Sequence, residues 1–97
     1  MSITVIADIQ PTPENAEAAK AILLATVARV RAEDAGCERY DLNYEASTGT
    51  YVMLEQWASE DALTAHSQSP AFLALGAGLE GLLAAPLNVR TLAPLTN

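Results

Sequence analysis

The chain has 97 residues, of which 51% are hydrophobic, and a formal net charge of −7. This length predicts one domain, residues 1–97, near the size at which a lone chain buries a limited share of its surface and often associates with a second copy. The acidic balance argues against nucleic acid or an anionic membrane as a partner, and one cysteine and one histidine are too few ligands for a structural zinc site.

The segment at the start of the chain, MSITVIADIQPTPEN, predicts a strand followed by a helix start. Residues 2–10 alternate loosely between apolar and other side chains, as strands do. The segment has no basic region and Asp8 interrupts its apolar stretch, so we expect neither a secretory signal nor a membrane span, and a cytoplasmic location. Residues 12–14, Thr-Pro-Glu, then offer a hydroxyl cap, a proline for the first helical position and an acid near the positive end of the helix dipole.

The helix that follows is predicted to end at Gly36, whose conformational freedom suits a helix terminus. Its buried face recurs at steps of three and four residues and comprises Ala19, Ile22, Leu23, Thr26, Val27 and Val30. Residues 37–45 alternate in character, which predicts a second strand. The two faces of this strand carry Tyr40, Leu42 and Tyr44 on one side and Arg39, Asp41 and Asn43 on the other.

A third strand is predicted over residues 50–58, after a turn at residues 47–49, Ser-Thr-Gly. Its two faces carry Tyr51, Met53 and Trp57 on one side and Val52, Leu54 and Ala58 on the other. Because apolar residues occupy both faces, both must be covered by other parts of the structure.

Two short helices and a last strand complete the predicted order. Ser59 caps the first helix. One side of this helix carries Ala62, Leu63 and His66. The second helix is predicted over residues 71–83, and the last strand over residues 87–92.

The order strand, helix, strand, strand, helices, strand is typical of the split βαβ or ferredoxin-like arrangement. This is an α+β fold with a four-stranded antiparallel sheet and helices on one face. Helices can cover only one face of such a sheet, whereas the third strand is apolar on both. We therefore expect the second face to pack against the same face of another copy, which gives a homodimer.

Three further patterns are interpreted as structural. GAGLEG, residues 76–81, matches a dinucleotide-binding glycine pattern, but helical sequence precedes it and the chain ends before the required acid, so close helix packing or a helix break is preferred. The acids Glu33 and Asp34 are interpreted as a solvated helix end. The serines interpreted as caps and turns, because no nucleophile-elbow motif surrounds them, are Ser59, Ser67 and Ser69.

Residues 55–72 read EQWASEDALTAHSQSPAF, which contains the pattern E-x-W-x-S-x-x-A-L-x-x-H-x-x-S-P-x-F. This pattern resembles the signature of the antibiotic biosynthesis monooxygenase domain family, which includes quinol monooxygenase-like proteins. The preceding A-G-C-x-x-Y-x-L of residues 35–42 is similar to the strand that the family places before the signature. The resemblance covers nearly the whole chain and implies ferredoxin-like protomers that pair into a dimeric α/β barrel.

The resemblance also implies an activity. In the best understood relatives, a cavity between sheet and helices binds an aromatic polyketide or quinol and oxygenates it without flavin, haem or metal, so no cofactor is expected. Relatives often read S-P-H-F where this chain has Ala71, and haem-degrading relatives carry an axial histidine where residues 73–79 have none. A pocket asparagine near the end of their first strand is also missing here, where Ala7 and Asp8 stand, so haem degradation is not expected.

Oxygenation without a cofactor requires a group that takes a proton, a group that holds an anion and a dry cavity. His66 is the candidate base, because imidazole exchanges protons near neutral pH. Trp57 is the second candidate catalytic residue, because its ring can stack on an aromatic substrate while its N–H points at an oxygen. The candidate substrate-binding residues are Tyr40, Tyr44 and Tyr51 as walls or hydrogen-bonding groups, and Arg39 or Arg90 as the cation that holds the anion.

These residues also have structural interpretations. Trp57 is either plain core or a cavity wall, and His66 is either a cavity residue or a structural hydrogen-bond partner. Glu55 is interpreted as structural, pairing with a neighbouring strand or helix, and the tyrosines as packing or dimer contacts. The sequence thus predicts a cofactor-independent monooxygenase of hydroxylated aromatics, polyketides or quinols. The alternatives are a non-catalytic small-molecule-binding or stress-response barrel, and a cyclase or isomerase that uses the same cavity.

Overall fold

The computed structural model describes residues 2–96, whose strands and helices follow the predicted order. They are β1 (Ile3–Ile9), α1 (Ala16–Glu33), β2 (Cys37–Glu45), β3 (Thr50–Trp57), α2 (Glu60–Ser67), α3 (Pro70–Leu79) and β4 (Asn88–Leu92). The strands form one antiparallel sheet in the order β2-β3-β1-β4, with the helices packed on one face. This is the predicted α+β, ferredoxin-like architecture. No helix within residues 2–96 is long and apolar enough to cross a membrane.

The register of the sheet decides which side chains face the helices. Glu55 of β3 pairs with Val5 of β1 and with Tyr40 of β2. Cross-strand partners lie on the same face of an antiparallel sheet, so these three side chains stand side by side under the helices. Met53 and Trp57 lie two residues before and after Glu55 on the same face, and both are buried.

The core lies between this face of the sheet and the helices. Trp57, Leu23 and Val30 have no exposed surface. The buried residues of α1 confirm the predicted face; they are Ala19, Leu23, Thr26, Val27 and Val30, with Ile22 partly buried beside them. Full burial of a large apolar side chain contributes about 1.5–3 kcal/mol relative to exposure, so this face holds α1 against the sheet.

The opposite face of the sheet carries a second apolar stripe. Ile6, Val52 and Leu54 are half-buried on this face and line a groove of about 590 Å³. Asp8 and Arg90 also line the groove, which we call the open-face groove. The predicted division of β3 into two apolar faces is therefore confirmed, because Val52 and Leu54 alternate with buried residues.

The end of α3 differs from the prediction. The helix ends at Leu79 rather than at residue 83, and Gly81 then adopts a φ of 80° that helical backbone does not allow. The next residues bond instead to the segment after β1: the Thr12 N–H donates to the Leu82 carbonyl at 2.9 Å. These tertiary hydrogen bonds replace further helical turns, and β4 then begins at residue 88 rather than 87.

The start of α1 also differs from the prediction. Pro13–Asn15 form one turn of 3-10 helix, and the α-helix begins at Ala16. The Thr12 hydroxyl does not cap a backbone N–H but accepts a hydrogen bond from the Asn15 side-chain amide at 2.8 Å. The predicted cap residue therefore stabilises the entry turn rather than the helix end.

Gly36 allows α2 to pack closely against the turn after α1. Its φ is +82°, and a Cβ at this position would lie 2.6 Å from the Ala62 Cβ, which is closer than carbon atoms approach. The residue therefore has both a conformational and a steric requirement for glycine. Its close approach brings α2, and with it His66, to the end of α1 at Asp34.

Candidate functional site

A small cavity lies between the sheet and the helices. It has a volume of about 110 Å³ and is lined by Val5, Ala7, Ile9, Leu23, Tyr40, Met53, Glu55, Leu63, His66, Ser67, Phe72, Leu75, Leu87 and Val89. Most of this lining is apolar, and its polar side chains are Tyr40, Glu55, His66 and Ser67. A few polar groups in an apolar enclosure are typical of a small-molecule site.

His66 is held in a defined orientation by a buried carboxylate. Its Nδ1 lies 2.6 Å from Asp34 Oδ2, and the two side chains are only 4% and 6% exposed. The Ser69 hydroxyl donates to the same oxygen at 3.0 Å. Since a carboxylate only accepts hydrogen bonds, the proton of the neutral ring is assigned to Nδ1, which leaves Nε2 as an acceptor.

The burial of Asp34 corrects the prediction of a solvated helix end. Only Glu33 behaves as predicted, being exposed and paired with Arg29. Asp34 directly follows the last residue of α1. Its carboxylate accepts hydrogen bonds from His66 on α2 and from Ser69 at the start of α3, so it lies where these two helices meet. The positions of α2 and α3 therefore determine its environment, and its local sequence does not.

Trp57 contacts both titratable groups of the site. Its ring stacks on His66 with centroids 4.4 Å apart and planes inclined by 28°, and its Nε1–H donates to Glu55 Oε1 at 2.9 Å. The indole has no exposed surface and is absent from the cavity lining. The sequence predicts that Trp57 stacks on a substrate and points its N–H at a substrate oxygen. To do so, Trp57 would have to lose its contacts with His66 and Glu55.

Glu55 is a buried acid on the cavity wall. It is 6% exposed, and its hydrogen-bond donor is Trp57 on the same strand rather than the expected neighbouring strand or helix. Burial raises the pKa of the Glu55 carboxyl to about 7, and the hydrogen bond from Trp57 opposes this shift only partly.

Tyr40 and Phe72 complete the surroundings of His66. Tyr40 is 2% exposed and forms T-shaped contacts with both His66 and Trp57, with centroids 5.5 and 6.2 Å away. Burial, followed by the nearby Glu55 carboxyl, raises the pKa of the Tyr40 hydroxyl, so this group stays protonated near neutral pH. The Phe72 ring approaches the imidazole in a T-shaped arrangement, with the ring centroids 5.2 Å apart.

The other candidate binding residues do not border the cavity. Tyr51 is buried but donates its hydroxyl proton to the Ala16 carbonyl at 3.1 Å, and Tyr44 beside it is 57% exposed. Arg39 is paired in register with Gln56, on the face opposite to Tyr40, and forms an exposed ion pair with Asp41. Arg90 lines the open-face groove. Of the seven predicted site residues, the structure brings only Tyr40 and His66 to the cavity wall, with Trp57 directly behind them.

The polar residues Glu55 and Ser67 of the cavity lining, and Asp34 behind His66, were not among the predicted site residues. Glu55 occupies an inward position in the alternation of β3, which is a sequence signal for a buried acid. Asp34 has no such signal, because its partners are on α2 and at the start of α3. Within residues 2–96, no three His, Cys, Asp or Glu side chains are clustered so that they could hold a metal ion.

The chain is similar in sequence and structure to several known proteins. Residues 2–77 match the family model described as antibiotic biosynthesis monooxygenase. Rv0793 of Mycobacterium tuberculosis, provisionally named a monooxygenase, is 41% identical over 93 residues, which span 96% of this chain and 91% of that protein. Its solved structure has a TM-score of 0.93 at 36% identity, with 100% of this chain and 98% of that chain covered. The structure of PA3566 from Pseudomonas aeruginosa has a TM-score of 0.88 at 35% identity, with 98% and 95% covered.

Proposed function

The chain belongs to the antibiotic biosynthesis monooxygenase family, and on this premise we propose that it is a cofactor-independent monooxygenase of hydroxylated aromatics or quinols. The family model covers residues 2–77, and the name of the Mycobacterium tuberculosis relative points to the same class of activity. The observation that carries the proposal is the hydrogen bond between Asp34 and His66, whose imidazole lies at the wall of a mostly apolar cavity.

In the proposed reaction, His66 is the general base. Its Nε2 takes the hydroxyl proton of the substrate, and Asp34 stabilises the imidazolium that forms. The resulting phenolate or quinolate passes one electron to dioxygen and recombines with it as a radical pair. For a quinol, one dioxygen gives a hydroxyquinone and one water: one oxygen atom enters the ring, and the other leaves with two hydrogens of the substrate.

The volume of the cavity limits the substrate. The cavity measures about 110 Å³ in this structure, whereas an apolar protein cavity of about 150 Å³ binds benzene. A single-ring quinol therefore requires a small outward movement of the surrounding helices, and a polyketide of several fused rings requires a much larger one. We propose single-ring substrates for this reason.

Oxygen uptake tests the proposed activity directly. The purified protein, in the presence of a metal chelator, is expected to accelerate oxygen consumption by hydroquinones and by the more reactive anthrones, because His66 generates the oxidisable anion below the pH at which it forms in water. The measurement is the initial rate in an oxygen electrode after subtraction of the autoxidation blank at each pH. Uptake no faster than the blank across the whole panel would contradict the proposal.

A second candidate function is proton transfer without oxygen, as in an isomerase or cyclase. The observation that favours it is that two proton-exchanging side chains, Glu55 and His66, line the same cavity. Exchange of substrate C–H protons for solvent deuterium without oxygen uptake would distinguish this function from oxygenation.

We also propose that the active form is a homodimer in which the open-face grooves of two copies pack together. Val52, Leu54 and Ile6 form a half-buried apolar stripe in this groove, and a partner would remove the stripe from water. The two faces would meet by two-fold symmetry, so each residue of the stripe would be buried in both copies.

Replacement of Leu54 by lysine is therefore expected to convert the dimer into a monomer, because two ammonium groups of like charge would have to leave water at one apolar interface. The measurement is the mass in sedimentation at micromolar concentration, with circular dichroism to verify folding. The matched control is Leu73→Lys, which changes a 63% exposed leucine of α3 and should leave the mass unchanged. A wild-type protein that sediments as a monomer would contradict the dimer.

A further inference from the structure

Glu55 has a carboxyl oxygen that no hydrogen bond of the protein uses. Oε1 accepts the Trp57 N–H, whereas Oε2 has no partner within residues 2–96. In this part of the chain, no fully enclosed side-chain oxygen or nitrogen lacks a partner, so Oε2 must border accessible space. Because Glu55 lines the cavity and is only 6% exposed, that space is the cavity.

The groups around Glu55 leave it without a cationic partner. Tyr40 and Cys37 approach it from β2, and His66 lies across Trp57 on α2 with Asp34 behind it. The other elements contribute only apolar residues to the cavity, whose lining contains no lysine or arginine. Burial raises the pKa of both the Tyr40 hydroxyl and the Cys37 thiol, so both stay protonated near neutral pH.

We propose that Glu55 binds the polar end of a single-ring ligand by donating a hydrogen bond from its free oxygen to a carbonyl or hydroxyl oxygen of the ring. The inference rests on the proposed function for its ligand class, and it assigns to Glu55 the role of specificity-determining residue in that cavity. Glu55 is expected to donate this hydrogen bond because its carboxyl is protonated in mildly acidic solution. Burial without a neighbouring cation raises the pKa of the carboxyl to about 7.

The ligand pair that tests this role is cyclohexanone and methylcyclohexane. They have the same number of heavy atoms, but only the ketone has an oxygen, and this oxygen accepts hydrogen bonds without donating any. If the ketone requires protonated Glu55, its affinity relative to methylcyclohexane should fall about tenfold between about pH 6 and pH 8. The sign follows because the proton that the ketone needs is lost as the pH rises through the pKa of Glu55.

The indole N–H of Trp57 reports on the protonation of Glu55 and on ligand binding. Trp57 is the only tryptophan, so its indole N–H gives one signal in a ¹H–¹⁵N spectrum, and this N–H donates to Glu55. The signal is expected to titrate with a midpoint near pH 7 in the free protein and to shift on ligand binding. His66→Gln removes the imidazole that stacks on the indole, so titration that persists in this variant belongs to Glu55.

Two substitutions distinguish ligand binding from a structural role. Glu55→Gln keeps a donor that does not titrate, so it should retain the preference for the ketone and lose its pH dependence. Glu55→Met removes the donor at similar size and should abolish the preference at both pH values. The matched control, Glu38→Gln, changes an exposed acid of β2 and should behave as the wild type.

Three results would each overturn the proposal. The first is a wild-type preference for cyclohexanone over methylcyclohexane that does not change with pH. The others are a pH dependence that persists in Glu55→Gln, and failure of cyclohexanone to bind at millimolar concentration. These measurements use no oxygen. Absence of oxygen uptake would therefore contradict the oxygenase function alone, while loss of the predicted pH dependence would contradict the role of Glu55 alone.

Discussion

Replacement of His66 by glutamine is expected to slow oxygen uptake by about 10²–10⁴-fold, the usual contribution of a general base. Glutamine fills similar space, and its amide can donate to Asp34 as Nδ1–H does, so the fold should persist. It cannot take the substrate proton at neutral pH. The measurement is kcat with the fastest quinol of the panel, after subtraction of autoxidation and normalisation to the folded fraction.

A substitution of Asp34 tests the other member of the Asp34–His66 pair. Asp34→Asn keeps the shape of the side chain but removes the negative charge that stabilises the imidazolium, so kcat should also fall, by about 10²-fold or more. Glu33→Gln removes the same charge one residue earlier, where the acid is exposed and paired with Arg29, and should change kcat less than about twofold. Equal effects of the two substitutions would mean that net charge, rather than the hydrogen bond to His66, determines the rate.

The architecture could be predicted because it depends on local patterns. Alternation over β2 and β3 assigned their faces, and the serine before α2 predicted its cap, which the structure confirms as a hydrogen bond from the Ala62 N–H to Ser59 Oγ. Alternation also puts Arg39 on the face opposite to Tyr40, so its distance from the cavity follows from the sequence. Arg90 is different, because its face depends on the pairing of β4 with β1.

The polar wall of the cavity could be predicted only in part. His66 was found because it is the only histidine and lies on the apolar side of α2. Its partner Asp34 is 32 residues away and follows an exposed glutamate, so the local pattern indicates solvent. For Glu55 the inward position could be read from the alternation of β3. Its role could not, because that depends on the cavity that the helices form above it.

Replacement of Trp57 by alanine is expected to lower the free energy of unfolding by about 3–5 kcal/mol, the usual cost of truncating a buried aromatic residue. The indole has no exposed surface, and its removal would leave both His66 and Glu55 without their contacts. Chemical denaturation with unchanged m value is the measurement. The matched control is Tyr44→Ala, which truncates a 57% exposed aromatic residue of the same sheet and should cost much less.

Trp57→Phe distinguishes the two interpretations of the indole, core residue and cavity wall. Phenylalanine keeps an aromatic ring against His66 but cannot donate to Glu55, so a buried carboxyl oxygen loses its partner at a cost of about 1–3 kcal/mol. If Trp57 acts through these two contacts, oxygen uptake per folded molecule should fall much less than in His66→Gln. A rate loss as large as that of His66→Gln, at unchanged stability, would instead mean that the indole N–H contacts the substrate.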